Sequence, residues 1–119
     1  MFLKITRRGR VDVNHRSNSQ CWDKGWRSYF YEAAIECHED NMDKEGFILD
    51  NMEIKKVITE ALQNHVGSCE KMAQAAGQAL LKASKLHGIM AIDLHITLYP
   101  ADCDPKDCTI MEYSLTGKF

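Results

Sequence analysis

The stretch that decides the fold is residues 50–88, DNMEIKKVITEALQNHVGSCEKMAQAAGQALLKASKLHG, whose apolar residues recur with the helical period of about 3.6. Asp50 predicts the N-terminus of a first helix, because its carboxylate can accept from the N3 amide while Glu53 reaches back to the cap. The apolar residues that follow share one helical face: Ile54, Val57, Ile58, Ala61 and Leu62.

A second helix is predicted directly after the first, with Gly67 ending one and Ser68 capping the other. Gly88 predicts its end after His87, because glycine readily adopts the left-handed conformation found there. The many alanines around Gly77 indicate close approach to another backbone. Its predicted inner face holds Met72, Ala75, Ala76, Ala79, Leu80, Ala83 and Leu86.

Strand patterns flank the helical stretch on both sides. Apolar alternation predicts strands over residues 2–13, 29–38, 89–99 and 109–115. One face of the second strand holds Tyr29, Tyr31, Ala33, Ile35 and Cys37. The order strand, strand, helix, helix, strand, strand predicts one α+β domain over residues 1–119, with an antiparallel four-stranded sheet covered on one face by two helices.

The composition limits the class of function. The chain has 119 residues, of which 27% are charged, and its formal net charge is −2. Because there is no basic excess, neither nucleic acid nor an anionic membrane is an expected partner. Five cysteines in irregular spacing, with no apolar leader segment, predict reduced thiols in a soluble cytoplasmic protein.

Several motifs follow one another in the order of a known family: DVNH ending at His15, then Cys21, GWR and SYFYEAAIE over residues 25–36, GFILDNMEIKKVI over residues 46–58, and Asn64-His65 before Ser68-Cys69-Glu70. In this order the chain resembles the 6-pyruvoyl-tetrahydropterin synthase family, which includes the 6-carboxy-tetrahydropterin synthases. The resemblance implies the tunnelling fold, or T-fold, whose subunits join edge to edge into a barrel. We therefore expect a homo-oligomeric ring of about four to six subunits, single or doubled.

The zinc motif of that family is degenerate in this chain. Family members bind zinc through three histidines, and the resemblance places His15, Gly25 and Arg27 at the three positions. Glycine has no ligand atom, and a guanidinium is a permanent cation. We therefore expect no zinc, no other cofactor and no zinc-dependent family reaction.

Two residues are candidates for catalysis under the resemblance. Cys21 matches the catalytic cysteine and lies near Lys24 and Arg27, whose charges favour a thiolate; a half-buried structural thiol is the other interpretation. His65 matches a relay histidine whose partner Asp is replaced by Asn64, or it caps the end of the first helix.

Four residues are candidates for ligand binding: Glu70, Ser68, Arg27 and His15. Glu70 follows the Ser68 cap, where T-fold enzymes present ring-binding groups, although a carboxylate there also complements the helix dipole. His15 is interpreted either as a contact to a bound ring or as a strand-end histidine held by backbone groups.

Two other groups of residues have open interpretations. Cys103 and Cys108 lie in the turn ADCDPKDC, but because no second pair has suitable spacing, zinc is not expected there. The aromatic cluster of Trp22, Trp26 and residues 29–31 predicts a stacking platform for a flat heterocycle, a core, or a subunit interface.

These observations support two functional hypotheses. The first is an oligomeric module that binds a pterin- or purine-like ligand, or a partner, without the zinc-dependent reaction. The alternative is a metal-independent enzyme of pterin or deazapurine metabolism, a lyase with an altered mechanism that uses Cys21, His65 and Glu70. Several losses relative to the family favour the first hypothesis. Two metal ligands and the relay Asp are replaced, and Leu98 stands where the family has a ring-anchoring carboxylate.

Overall fold

The computed structural model describes residues 1–15, 25–41, 50–63, 69–86, 88, 91–104 and 106–116. Its elements are β1 (Phe2–His15), β2 (Gly25–His38), α1 (Asn51–Leu62), α2 (Cys69–Leu86), β3 (Ala91–Pro100) and β4 (Met111–Thr116), with a short 3-10 turn at Glu39–Asn41. The expected order of two strands, two helices and two strands is confirmed.

The strands form one antiparallel sheet in the order β1-β2-β3-β4. The β1–β2 pairing is the longest and runs from Phe2 opposite His38 to His15 opposite Gly25. β3 continues the sheet on the other side of β2, with an irregularity in register at Glu36/Cys37. β1 and β4 are therefore the two edges of the sheet.

Both helices cover one face of this sheet, α1 packing on β1 and α2 on β3 and β4. The alternation in β2 has the predicted sense, because its helix-side residues are all buried: Tyr29, Tyr31, Ala33, Ile35 and Cys37. From the helices, Ile54, Ile58, Leu62, Met72 and Leu80 complete the core. Each such aliphatic side chain contributes about 1.5–3 kcal/mol on burial, so this face is the main source of stability.

The helix boundaries follow local backbone chemistry. Asp50 caps α1 as predicted, but its Oδ1 accepts from the amide of Met52 at 2.7 Å rather than from that of Glu53. Gly88 has φ +73° and donates its amide to the carbonyl of Lys85 at 3.1 Å. The left-handed terminator after α2 is thus confirmed.

The prediction that Gly77 approaches another backbone is wrong. A Cβ built on Gly77 would lie 2.1 Å from Cδ1 of Tyr113, a ring carbon on β4. Glycine is needed in α2 because an aromatic side chain of the sheet occupies the space of its missing methyl group.

Other differences lie at the ends of the elements. β1 runs on to His15 and β2 begins at Gly25, since ladder pairing extends through polar residues that show no apolar alternation. Leu86 was expected on the inner face of α2 but is 77% exposed in its last turn, whereas Ala73 is buried. Within the described residues, the helices lack the length and apolar character needed to cross a bilayer.

Candidate functional site

Several elements end or begin at one end of the sheet, which we call the site end. β1 ends there at His15, opposite the start of β2 at Gly25. The amide of Asn14 donates to the carbonyl of Gln63, just after α1, at 3.2 Å. β3 also ends there, because Pro100 is the register partner of Tyr29.

The start of α2 lies at the same end. β3 begins at Ala91, close in sequence to the last residue of α2, Leu86, and Ala91 pairs with Cys37 at the opposite end of β2. Because α2 runs along the sheet away from the site end, its first turn, with exposed Glu70, begins there. A carboxylate in this position also complements the positive end of the helix dipole.

His15 is held in the core by a tyrosine. Its side chain is 1% exposed, and Nε2 lies 2.7 Å from the hydroxyl of Tyr29. The two rings meet edge to face, with centroids 5.7 Å apart. A buried side-chain hydrogen bond therefore contributes to fixing this ring, and a role of His15 in ligand binding stays a prediction.

Arg27 connects the start of β2 with the loop after β3. Its Nη2 donates to Asp102 Oδ1 at 3.2 Å and lies 3.5 Å from Cys103 Sγ. The Arg27 side chain is 23% exposed and that of Asp102 is 68% exposed, so solvent still screens the acidic side of this ion pair. In the same region the amide of Ala101 donates to the carbonyl of Ser28 at 3.0 Å, which fixes the loop against β2.

The residues at the three zinc-ligand positions do not fit a zinc ion. His15 and Gly25 are register partners, and Arg27 is two residues further along β2, so the three positions do come together. However, Gly25 contributes no donor and the Arg27 cation is paired with Asp102. Among the described residues, no three His, Cys, Asp or Glu side chains are placed to share a metal ion.

A groove of about 480 Å³ opens at the site end, on the sheet side away from the helices. Its lining includes Arg10, Asp12, Trp26, Arg27, Phe30 and Asp102. Trp26 is 67% exposed because successive side chains of a strand point to opposite faces, and Tyr29 and Tyr31 occupy the buried face. The indole ring of Trp26 therefore forms a flat wall of the groove. The predicted aromatic cluster is therefore divided, with Tyr29 and Tyr31 in the core and Trp26 and Phe30 on the open face.

Polar groups beside this groove form a chain. Arg10 Nη2 donates to Ser28 Oγ at 2.9 Å, and that hydroxyl donates to Asp12 Oδ1. Beyond Phe30 a second groove of about 590 Å³ continues along the open face. In its lining, the ring centroids of Phe30 and Tyr99 are 5.6 Å apart. The site end thus offers aromatic surfaces next to both donors and acceptors.

Three of the predicted site residues, Cys21, His65 and Ser68, lie outside the described residues, and their roles stay predictions. The described residues that flank them in sequence, His15, Gly25 and Gln63, lie at the site end.

Residues that the sequence did not indicate are Asp102, Asp12 and Ser28 at the groove, and Tyr29 as the partner of His15. The strand register would have indicated Ser28 and Asp12, because they are direct partners across β1 and β2. That register cannot be read from alternation alone.

Comparison with known proteins agrees on the fold. No protein-family model and no curated protein sequence matches the chain. The apo structure of the archaeosine synthase QueF-Like superposes with a TM-score of 0.63 and 12% identity, covering 96% of this chain and 94% of the other. A dihydroneopterin aldolase from Burkholderia thailendensis, bound to guanine, superposes with a TM-score of 0.67 and 14% sequence identity. The match covers 98% of this chain and 90% of the aldolase.

The 6-pyruvoyl tetrahydropterin synthase of Caenorhabditis elegans gives a TM-score of 0.56 and 14% identity, covering 98% of this chain and 97% of the other. At these identities the likeness establishes the fold. The chain has the T-fold, as its sequence predicted.

Proposed function

We propose that this T-fold chain is an oligomeric module that binds a flat pterin- or purine-like heterocycle at the site end, without zinc. The observation that carries the proposal is the groove beside Arg27, where an exposed aromatic wall and an ordered ion pair lie together. The guanine bound to the structurally similar dihydroneopterin aldolase supports the choice of ligand class.

The groove has the size and chemistry for such a ligand. Its volume of about 480 Å³ lies within the usual range for small-molecule sites. Trp26 and Phe30 can stack on a planar ring, while Arg27 offers donors and Asp102 and Asp12 offer acceptors to its polar edge. A purine or pterin presents donors and acceptors on one edge, so this mixed lining suits it better than it suits a purely apolar ligand.

The sheet edges support assembly of the chain into a ring. β1 and β4 are open on opposite sides of the same sheet, and an exposed strand edge pairs readily with another strand. Joining β4 of one copy to β1 of the next repeats the antiparallel order and closes after about four to six copies, in a single or doubled ring. Each site end then lies next to the β3–β4 loop of its neighbour.

Within this proposal, the site residues are Arg27, Glu70, Ser68 and His15, with Cys21 and His65 on the segments that border the site end. His15 acts by fixing Tyr29 and the strand end, since its ring is buried. Arg27 is the most direct candidate for a ligand contact, because it lines the groove.

Calorimetric titration with guanine tests the proposal. We expect saturable binding by the wild type and an affinity at least about tenfold lower in Arg27→Met, because a hydrogen bond from a charged group is lost. Trp26→Leu should weaken binding as well by removing the stacking surface. Arg8→Met is the matched control, since Arg8 pairs with Glu32 on the same face but does not line this groove. Absence of binding by the folded wild type, or equal affinities of Arg27→Met and Arg8→Met, would reject the site.

The metal-independent enzyme is the second candidate function, and the position of Glu70 at the site end supports it. In that case Cys21, His65 and Glu70 carry the reaction as a lyase of altered mechanism. Conversion of a reduced pterin by the wild type, lost in Cys21→Ala and in Glu70→Gln, would establish it, whereas binding without conversion supports the first function.

A further inference from the structure

The loop between β3 and β4 has a cysteine on each side of a hydrogen-bonded turn. The amide of Asp107 donates to the carbonyl of Asp104 at 2.9 Å, and the amide of Lys106 donates to Asp104 Oδ1 at 2.9 Å. The sequence Asp-Pro-Lys-Asp suits such a turn, since Asp is favoured at its first position and Pro at its second. Cys103 and Cys108 are the residues immediately before and after it.

This turn reverses the chain between the two cysteines, which makes a disulfide between them a reasonable inference. A β-turn holds its first and fourth Cα atoms within about 7 Å, and Cys103 and Cys108 are each one residue outside that pair. A disulfide needs a Cα separation of about 4.4–6.8 Å. Both residues are partly exposed in the thiol form, whereas Cys37 is fully buried in the core. Cys37 is therefore an internal reference for an inaccessible thiol.

We infer that Cys103 and Cys108 form a reversible disulfide by exchange with a small disulfide such as glutathione disulfide. One protein thiolate attacks a sulfur of glutathione disulfide, which forms a mixed disulfide and releases one glutathione thiolate. The second protein thiolate then attacks the protein-side sulfur and releases the other glutathione. The protein loses two electrons and two protons, and one glutathione disulfide becomes two glutathiones.

The disulfide changes the contacts of the groove. Cys103 Sγ lies 3.5 Å from Arg27 Nη2 and donates to Asp102 Oδ1 at 3.8 Å. Oxidation removes the S–H donor and ties the sulfur to Cys108, so the Arg27–Asp102 pair loses one of its neighbours. The redox state of the loop thereby changes the surroundings of Arg27, which lines the ligand groove. This consequence rests on the proposed function, whereas the disulfide itself does not.

Peptide mapping of the whole protein tests the disulfide. The wild type is equilibrated with glutathione and glutathione disulfide, its remaining thiols are alkylated, and it is cleaved with trypsin, which cuts after Lys106 between the two cysteines. We expect the Cys103 and Cys108 peptides to be linked in oxidising buffer, to separate on reduction and to stay unlinked in Cys108→Ser. Glutathione adducts without a link, or a link from either cysteine to another one, would overturn the inference.

Guanine titration of the oxidised and reduced wild type tests the effect on the groove, with Cys108→Ser as the control that oxidation cannot link. We expect an affinity difference of at least about threefold between the two wild-type forms, because the contacts of Arg27 differ. Equal affinities would overturn the coupling to the groove. Absence of guanine binding in both forms would reject the proposed function and, with it, the coupling, while the peptide link would still establish the disulfide.

Discussion

At the scale of single residues, His15 and Tyr29 form a buried polar contact at the site end. Both side chains are buried, and Nε2 lies 2.7 Å from the hydroxyl. The sequence marked His15 as a candidate but not its partner, because Val11, and not His15, lies directly opposite Tyr29 in the register. Because His15 lies four positions along β1 from that partner, the contact depends on strand register and on ring orientation, neither of which alternation specifies.

Tyr29→Phe should lower the free energy of unfolding by about 1–3 kcal/mol, because the buried imidazole loses a hydrogen-bond partner while the ring packing is kept. Urea denaturation measures the change. Tyr99→Phe is the matched control, since Tyr99 lies on the open face, and it should change stability by less than about 0.5 kcal/mol. Equal effects of the two substitutions would contradict the structural role assigned to His15.

Cys37 should make stability depend on alkaline pH. Burial, with a smaller contribution from Glu36, raises the pKa of its thiol. The stabilisation from the neutral thiol is complete below the unfolded pKa of about 8.5 and is lost as pH rises through the higher folded pKa. Between about pH 8 and pH 10 the wild type should therefore lose more stability than Cys37→Ala. Parallel stability curves for the two proteins would contradict this prediction.

At the scale of elements, the periodic segments and the helix ends marked by Asp50 and Gly88 were predictable, whereas the strand ends were not. The 3.6-residue period located both helices, and the period of two placed Tyr29 and Tyr31 on the helix side of β2. The start of β2 depends on strand pairing instead, because Gly25 is the register partner of His15. Because polar residues at a strand end do not continue the apolar period, that period does not predict where the strand begins or ends.

The packing of α2 against β4 provides a prediction at this scale. Gly77→Ala adds a methyl group that would lie 2.1 Å from the Tyr113 ring. Although alanine favours a helix by about 1 kcal/mol over glycine, the overpacking should lower stability by about 1–3 kcal/mol net.

Thermal unfolding measures this effect, and a double-mutant cycle with Tyr113→Ala checks its cause. In the Tyr113→Ala background the same glycine substitution should become neutral or stabilising, since the obstructing ring is gone. A destabilisation of equal size in both backgrounds would show that the aromatic contact is not the reason for glycine at this position.

At the scale of the whole molecule, the order of elements predicted the α+β sheet and the family resemblance implied the T-fold, whereas the site was predicted only in part. His15 and Arg27 do meet at one end of the sheet, and the topology adds Glu70. The groove could not be predicted, because Asp102 reaches Arg27 across 75 positions of sequence and only the folded sheet brings them together. Resemblance to a family suggested positions, but the contacts come from strand register and loop placement.

The purified protein should contain no stoichiometric zinc, because only His15 of the three matched positions can supply a ligand. Elemental analysis of protein prepared without chelators measures this, and His15→Ala should leave the metal content unchanged. One zinc per chain in the wild type, lost in His15→Ala, would mean that ligands come from other parts of the chain.

The most direct test of the account is the mass of the particle in solution, because the proposed ring closes the β1 and β4 edges between copies. Light scattering coupled to size exclusion at micromolar concentration should give about four to six times the 13.6 kDa of one chain, or twice that for a doubled ring. A stable particle of 13.6 kDa would contradict the ring and, with it, the proposed oligomeric module.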